Sequence, residues 1–185
     1  MNKANSILFD KNVVEFTAVA VETCAFLENA DAMSREEFVD KLLKLLPLLY
    51  LKTSLLPHVF LQGDGYLEEC VTEEIYSLLR MKTASVLAEK DDYLEVFNPE
   101  IQYSDTPMKK CISEDLADIY QDLKNFTFLF EIGLDETRND ALVRCKENFS
   151  LFWGQRLVNT LRALHDVKYD TTNPEDVSLP SWDYE

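Results

Sequence analysis

Apolar residues recur along most of this chain at the spacing of one face of an α-helix. The segment from Ser113 to about Ile132 illustrates this, because at roughly 100° per residue its apolar side chains fall on one arc. That arc holds Leu116, Ile119, Tyr120, Leu123, Phe126 and Phe130. A neighbouring arc holds four carboxylates, Glu114, Asp115, Asp118 and Asp122. The pattern predicts an amphipathic helix that ends before Gly133, and the dipole of its first turn accounts for Glu114 and Asp115.

The same periodicity predicts five further helices. They span residues 10–29, 34–57, 72–90, 91–97 and 135–166. Asp10, Ser34 and Thr72 are suited to cap the first three, because their side chains accept hydrogen bonds from free backbone N–H groups. Pro47 lies inside the second helix, where it removes a backbone donor and is expected to kink or break the helix.

The fold class follows from this pattern. No segment alternates strictly between apolar and polar residues, so no strand is predicted. The four glycines and six prolines are too few for a turn-rich β-protein, and residues 58–66 and 100–111 are predicted as loops. We expect an all-α, antiparallel bundle of five to six helices in one domain, residues 1–166. Residues 167–185 form an acidic, extended tail that is expected to pack on the bundle or to be disordered.

The chain is strongly acidic, with a formal net charge of −16. Such a chain repels phosphate backbones and anionic lipid surfaces, so we expect no nucleic-acid or membrane partner. The charge fits a basic partner protein, and it equally fits a simple role in solubility. No apolar run is long enough to cross a bilayer, and residues 1–10 lack the apolar core of a secretion signal.

The four cysteines form no recognisable metal or disulfide motif. Cys24, Cys70, Cys111 and Cys145 lie far apart, without a CxxC pair or zinc-finger spacing. Cys24 and Cys145 fall on apolar helix faces, where a free cysteine packs as a small apolar side chain. Motifs for phosphate loops, dinucleotides, zinc proteases and serine hydrolases are also missing. The sequence therefore predicts a reduced, cytoplasmic protein without a bound organic cofactor.

Arg156 is the most unusual residue of the predicted helix 135–166. It lies near the centre of an apolar face, where burial of a guanidinium costs desolvation free energy unless a carboxylate pairs with it. That face comprises Leu142, Cys145, Phe149, Phe152, Trp153, Thr160 and Leu164. We predict that Arg156 meets Asp118 or Asp122 in an ion pair that fixes the packing of two helices. The alternatives are an anion-binding arginine in a pocket and an arginine that extends to solvent.

Gly154 lies two residues earlier in the same predicted helix. A glycine there lowers helix stability by about 1 kcal/mol relative to alanine. Such a glycine often allows another element to approach closely. The helix at 34–57 or the C-terminal tail is predicted to be that element.

The carboxylates of the 113–132 helix support a second, enzymatic hypothesis. Asp118 and Asp122 are one turn apart, and an acid near the start of the 72–90 helix, such as Glu73, would complete a set of oxygen ligands for Mg²⁺ or Mn²⁺. Arg156, or Lys82 on the apolar face of the 72–90 helix, would then hold a phosphate. This arrangement would serve a divalent-metal-dependent hydrolase of phosphorylated small molecules. All-helical nucleotide pyrophosphatases use acid clusters of this type, although only half of their paired motif is matched here.

Three segments together resemble a known family. They are Leu45-Leu-Pro-Leu-Leu-Tyr50, residues 113–126, and residues 148–157 with 161–165. The combination resembles an uncharacterised family of Bacteroidetes proteins that is catalogued as a domain of unknown function. The resemblance implies a helical domain in a bacterial cytoplasm and supplies no activity. We therefore expect a non-enzymatic interaction or regulatory domain with an acidic surface, with the metal-dependent hydrolase as the alternative.

Overall fold

The computed structural model of the protein describes residues 7–63, 66–95 and 108–169. Within these ranges it contains six α-helices: α1 (Lys11–Glu28), α2 (Arg35–Ser54), α3 (Glu73–Leu87), α4 (Ile112–Ile132), α5 (Asp135–Asn148) and α6 (Gly154–Tyr169). Short 3₁₀ turns follow α1 and α3. The predicted all-α bundle is confirmed. No helix in the described part of the chain is both long and apolar enough to cross a membrane.

The predicted helix starts are confirmed by their capping hydrogen bonds. The carboxylate of Asp10 accepts a hydrogen bond from the backbone N–H of Asn12 at 2.8 Å, and the hydroxyl of Ser34 accepts one from Glu37 at 3.2 Å. Thr72 caps α3 in the same way. Each cap satisfies a backbone donor that the first turn of a helix leaves free.

The second helix passes through Pro47 without interruption. The predicted break therefore does not occur, and the predicted kink stays a prediction. Proline removes the donor that would bond the carbonyl four residues earlier. Leu46 and Leu49, on either side of Pro47, are fully buried, and α2 packs against both α1 and α6. These packing contacts outweigh the loss of one backbone hydrogen bond.

The fourth helix lies at the centre of the bundle, where it contacts α1, α3, α5 and α6. Its apolar face is buried as predicted, and the core includes Leu116, Ile119, Tyr120, Leu123 and Phe126. Gly133 ends α4 as predicted, and its N–H donates to the carbonyl of Leu129 at 2.9 Å. The arc of carboxylates seen in the sequence therefore lies on the most centrally placed helix.

The segment after α3 contradicts the predicted short helix at 91–97. Asp92–Leu94 forms a strand, β1, that pairs in antiparallel with Lys109–Cys111, β2. The end of the predicted loop 100–111 is thus also a strand. Residues 96–107 lie outside the described part of the chain.

Local contacts explain why this segment is not helical. Ala88 adopts a positive φ of 50°, a conformation that residues with a side chain rarely adopt, and it ends α3. The backbone carbonyl of Asp91 then accepts a hydrogen bond from Ile112 at 2.8 Å. Its carboxylate accepts two hydrogen bonds from Ser113, at 2.7 Å from the backbone nitrogen and 2.6 Å from the hydroxyl. These contacts join residues distant in sequence, which helical periodicity does not register.

The predicted helix at 135–166 is two helices joined by a π-helical segment, Phe149–Trp153. The N–H of Gly154 donates to the carbonyl of Phe149, which is the hydrogen bond of a π-turn. A Cβ on Gly154 would lie 2.4 Å from that oxygen and 3.0 Å from two ring carbons of Phe149. The π-turn itself is therefore the neighbour that a side chain at Gly154 would meet first. The predicted close approach of α2 stays a prediction, and residues 170–185 of the C-terminal tail lie outside the described residues.

The last helix continues to Tyr169 and so passes the predicted boundary at residue 166. Residues 170–185 lie outside the described residues. The expectation that the acidic tail packs on the bundle or is disordered stays a prediction.

The connector between α2 and α3 is held against α5 by polar contacts. The carboxylate of Asp140 accepts hydrogen bonds from the backbone N–H groups of Gln62 and Gly63, both at 2.8 Å. Asn139 donates to the carbonyl of Phe60 at 2.8 Å. Asp140 is buried, and these donors satisfy its carboxylate oxygens away from water. The contacts fix the connector beside the first turns of α5.

Candidate functional site

Arg156 meets two carboxylates where α6 packs on α4. Its Nη1 contacts Oδ2 of Asp118 and lies 3.5 Å from Oδ1 of Asp115. The Arg156 side chain is 39% exposed, whereas the Asp115 side chain is only 4% exposed. The predicted pairing of Arg156 with Asp118 is therefore present. The second carboxylate is Asp115 and not Asp122.

Hydroxyl groups complete the hydrogen bonding of both carboxylates. Tyr76, on α3, donates to Oδ1 of Asp118 at 2.9 Å, and Tyr93, on β1, donates to Oδ2 of Asp115 at 2.5 Å. Thr160, on α6, donates to the same oxygen of Asp115 at 3.3 Å. We call these side chains the α4–α6 network: Tyr76, Tyr93, Asp115, Asp118, Arg156 and Thr160.

The electrostatics of the α4–α6 network favour fixed hydrogen bonds. Burial raises the pKa of Asp115 above its usual value, although the hydrogen bond from Tyr93 and the charge of Arg156 oppose this. Burial and a neighbouring carboxylate raise the pKa of Tyr76 and of Tyr93, so both phenols stay protonated and donate at neutral pH. Both oxygens of both carboxylates thus have partners, which is typical of a structural ion-pair network.

Asp122 lies apart from this network, although it is one turn from Asp118. Its Oδ1 accepts a hydrogen bond from Nδ2 of Asn148, at the end of α5, at 2.5 Å. Burial raises the pKa of Asp122 to about 6, and the charges of Asp118 and Glu69 act in the same direction. The hydrogen bond from Asn148 and the charge of Arg144 oppose the shift. Asp122 is therefore more readily protonated than an ordinary aspartate.

A cavity of about 220 Å³ opens beside Asp122, between α4, α5 and the residues before α3. We call it the Asp122 cavity, and its polar lining includes Glu68, Glu69, Gln121, Asp122, Asn125 and Asn148. Asn125 fixes the wall formed by the connector, because its Oδ1 accepts hydrogen bonds from the backbone of Cys70 at 2.9 Å and of Val71 at 3.0 Å. The cavity wall is thus held by hydrogen bonds to α4.

The metal ligands expected from the sequence do not assemble. Asp118 and Asp122 have different partners, and Glu73 is exposed in the first turn of α3. Across residues 7–63, 66–95 and 108–169, no group of three or more His, Cys, Asp or Glu side chains is placed to hold a metal ion. The hydrolase hypothesis therefore loses the arrangement on which it was based.

Lys82 also lies elsewhere than expected. Its Nζ donates to the backbone carbonyl of Glu28 at 3.0 Å and lies 3.4 Å from the carboxylate of Asp31. These contacts tie α3 to the end of α1. Lys82 is not a partner of the aspartates on α4, so the prediction of a second cation at that site was wrong.

The connector between α2 and α3 and the turn between α4 and α5 carry large apolar side chains in solvent. Phe60 is 84% exposed and Leu134 is 81% exposed, and Leu61 and Ile132 are exposed beside them in sequence. The carbonyl of Phe60 is bonded to Asn139, which places the connector alongside the start of α5. Exposed acids flank Ile132 and Leu134 at the end of α4 and the start of α5. We call this the Phe60 surface: Phe60, Leu61, Ile132 and Leu134, with the acids Glu131, Asp135 and Glu136.

A family model matches residues 7–170, which include all six helices. The chain belongs to the family described as Domain of unknown function (DUF5063). The predicted resemblance to an uncharacterised family is thus confirmed. The family description assigns no activity to this DUF5063 chain.

The chain is also similar to a protein of known structure, BF1032 from Bacteroides fragilis. The two sequences are 59% identical, and the match covers 90% of this chain and 98% of the other, with a TM-score of 0.81. No curated protein matches the chain. The comparisons therefore show the family and support the fold, and neither assigns a function to the site.

Four members of the α4–α6 network in this DUF5063 chain were not predicted from the sequence: Tyr76, Tyr93, Asp115 and Thr160. Asp115 was explained by the helix dipole, yet it is buried. A signal was present, because on a helical wheel Asp115 falls on the same arc as Asp118 and beside the apolar Ile119. Tyr76 and Tyr93 gave no comparable signal, since their positions depend on how α3 and β1 pack on α4.

Proposed function

We propose that this DUF5063 protein is a non-enzymatic interaction domain of the bacterial cytoplasm that binds a basic, amphipathic segment of another protein. The Phe60 surface carries this proposal. Phe60 and Leu134 are both more than 80% exposed, although side chains of this size are usually buried on folding. A group of exposed apolar residues that is rimmed by polar ones is typical of a protein-binding site.

The backbone beneath the surface is fixed before any partner arrives. The side-chain amide of Asn139 donates a hydrogen bond to the carbonyl of Phe60. The buried carboxylate of Asp140 accepts hydrogen bonds from the backbone N–H groups of Gln62 and Gly63. Leu134 lies directly before the first residue of α5. A surface that is already ordered loses less conformational entropy on binding, and this favours affinity.

The charge of the surface selects the class of partner. Glu131, Asp135 and Glu136 are exposed and flank Ile132 and Leu134 in sequence. The nearby cation, Arg138, lies 3.7 Å from Asp135 and donates to the backbone carbonyl of Glu131. Three carboxylates against one guanidinium leave this rim negative. A segment with Lys or Arg beside apolar residues is complementary to it, and long-range attraction would steer its approach.

Two further observations support the cytoplasmic location and the non-enzymatic role in this proposal. Cys24, Cys70, Cys111 and Cys145 are all free thiols, which fits a reducing compartment. Both carboxylates of the α4–α6 network have partners on each oxygen. That network therefore offers no free pair of acidic groups for general acid–base catalysis.

A labelled amphipathic peptide of leucine and lysine tests the proposal, with a leucine–glutamate peptide of the same pattern for comparison. We expect the full chain to bind the lysine peptide in fluorescence anisotropy, more weakly at high salt. The variant Phe60→Ser/Leu134→Ser should bind at least about tenfold more weakly. The matched control Leu78→Ser/Leu151→Ser changes exposed leucines elsewhere and should bind normally. Equal binding by both variants, or of both peptides, would contradict the proposal.

A further inference from the structure

We propose that the Asp122 cavity is a binding site for a small organic cation that carries a protonated primary amine. This site is separate from the Phe60 surface and goes beyond the proposed interaction function. The cavity volume of about 220 Å³ is far larger than the roughly 10–15 Å³ that one water molecule needs. It is just below the roughly 300–1,000 Å³ of sites for drug-sized ligands. A ligand of a few non-hydrogen atoms therefore fits its size.

The walls of the cavity combine a polar rim with an apolar floor. Carboxylates and amides come from three segments, namely Glu68 and Glu69 before α3, Asp122 on α4 and Asn148 on α5. The floor is formed by side chains that belong to the hydrophobic core: Phe126, Leu129, Ala141 and Cys145. A ligand with a charged head and a short hydrocarbon body matches this division.

Several acceptor oxygens that line the cavity lack a donor within the described residues. Asp122 receives the hydrogen bond of Asn148 on Oδ1, which leaves its Oδ2 without a donor there. The Oδ1 of Asn148 likewise has no donor among the described residues. Glu68 and Glu69 form no hydrogen bond or ion pair with the residues that the structure describes. An ammonium group has three N–H donors and no acceptor, so it complements these oxygens.

The charge of the cavity points to the same class of ligand. Glu68, Glu69 and Asp122 line it, and among the described lining residues one cation, Arg144, opposes them and itself has an interaction partner. A metal ion fits less well, because no group of three or more metal-ligating side chains occurs in the described part of the chain. An alkylammonium ion instead uses separate hydrogen bonds and buries its carbon atoms on the apolar floor.

Protonation of Asp122 should control this binding. The charged and polar groups that influence its carboxyl are Asp118 on the same helix, Glu69 on the connector, and Arg144 and Asn148 on α5. Their combined effect with burial places the pKa of Asp122 at about 6. Primary amines stay protonated to about pH 10. Affinity should therefore rise from pH 5 to pH 8, as Asp122 ionises while the ligand keeps its charge.

Three ligands of similar size test the proposal on the full chain. They are n-butylamine, 1-butanol and butyrate, and backbone NMR shifts or calorimetry report their binding. We expect n-butylamine to bind at pH 8 and to shift the amides of α4 and α5 around the cavity, with weaker binding at pH 5. The neutral alcohol and the anion should bind at least about tenfold more weakly, as expected for loss of a charged hydrogen bond.

Variants assign the binding to the cavity. Asp122→Asn is expected to weaken the binding of n-butylamine by at least about tenfold. Glu114→Gln, an exposed change on the same helix, should leave this affinity unchanged. Glu68→Gln/Glu69→Gln changes two exposed side chains. This double variant should weaken the binding of n-butylamine about twofold to fivefold. This double variant decides the matter if Asp122→Asn does not fold. Absence of n-butylamine binding, equal binding of 1-butanol, or undiminished affinity in the folded cavity variants would overturn the proposal.

Discussion

The guanidinium of Arg156 contacts one carboxylate oxygen of Asp118, and the hydroxyl of Tyr76 donates to the other at 2.9 Å. This arrangement links α6, α4 and α3 through a single side chain. Asp115, one turn earlier, extends the same network to β1 through Tyr93. Because each of these polar groups has a partner, the network stabilises the packing of the elements around α4.

Loss of the arginine should therefore lower the stability of the fold. Arg156→Met is expected to lower the free energy of unfolding by about 1–3 kcal/mol. This value lies between those for an exposed ion pair and for a broken buried pair, because the Arg156 side chain is 39% exposed. Urea denaturation of Arg156→Met, Asp118→Asn and the double variant measures the coupling, which should be about 1 kcal/mol. Arg162→Met, an exposed change on the same helix, serves as the control. Strictly additive effects of the two network substitutions would contradict the assigned pairing.

Asp122 should make stability depend on pH. Its pKa is raised to about 6 in the folded chain, above the value of about 3.9 in an unfolded chain. The folded state therefore binds this proton more tightly, and the resulting stabilisation is present below about pH 4 and lost as the pH rises through 6. Relative to the native chain, Asp122→Asn should gain up to about 3 kcal/mol between pH 4 and pH 7.

Denaturation midpoints of the native chain and Asp122→Asn across this pH range measure the effect. Glu114→Gln is the control, because it removes an exposed carboxylate from the same helix. A stability difference between Asp122→Asn and the native chain that stays constant from pH 4 to pH 7 would show that Asp122 titrates normally.

Gly154 should resist substitution by alanine, although alanine is the better helix former by about 1 kcal/mol. A Cβ would lie 2.4 Å from the carbonyl oxygen of Phe149, so the π-turn would have to shift. We expect Gly154→Ala to destabilise the protein by about 1–3 kcal/mol in thermal or urea unfolding. Gln155→Ala, exposed and adjacent, should change stability by less than about 0.5 kcal/mol. A stabilised Gly154→Ala variant would argue against the π-turn.

Asp140 should control the order of the Phe60 surface. Asp140→Ala removes the acceptor of two backbone N–H groups, those of Gln62 and Gly63. We expect a loss of about 1–3 kcal/mol in stability, faster hydrogen exchange at both amides, and weaker binding of the leucine–lysine peptide. Asp166→Ala, an exposed change on α6, should leave exchange at these amides unaltered. Unchanged exchange in Asp140→Ala would mean that other contacts hold the connector.

Much of the fold was predictable because its signals are local. The apolar arc of α4 and the caps at Asp10, Ser34 and Thr72 depend on residues within a few positions of one another. The pairing of Arg156 with Asp118 was also predictable, since a guanidinium on an apolar face requires a carboxylate and α4 carries several. The sequence by itself thus determined most of the helices, the starting points of three of them, and the pairing of Arg156 with an aspartate of α4.

The tertiary structure decided which neighbouring helix each polar residue contacts. Asp118 and Asp122 look equivalent in sequence, yet Asp118 contacts α3 and α6 while Asp122 contacts α5. The strand at Asp92–Leu94 and the π-segment at Phe149–Trp153 likewise depend on packing. Helical periodicity reports which face of a helix is apolar, but the neighbour of that face is set by residues far away in the chain. For that reason the complete α4–α6 network beyond the Arg156–Asp118 pair, the Asp122 cavity and the Phe60 surface are visible only in the folded molecule.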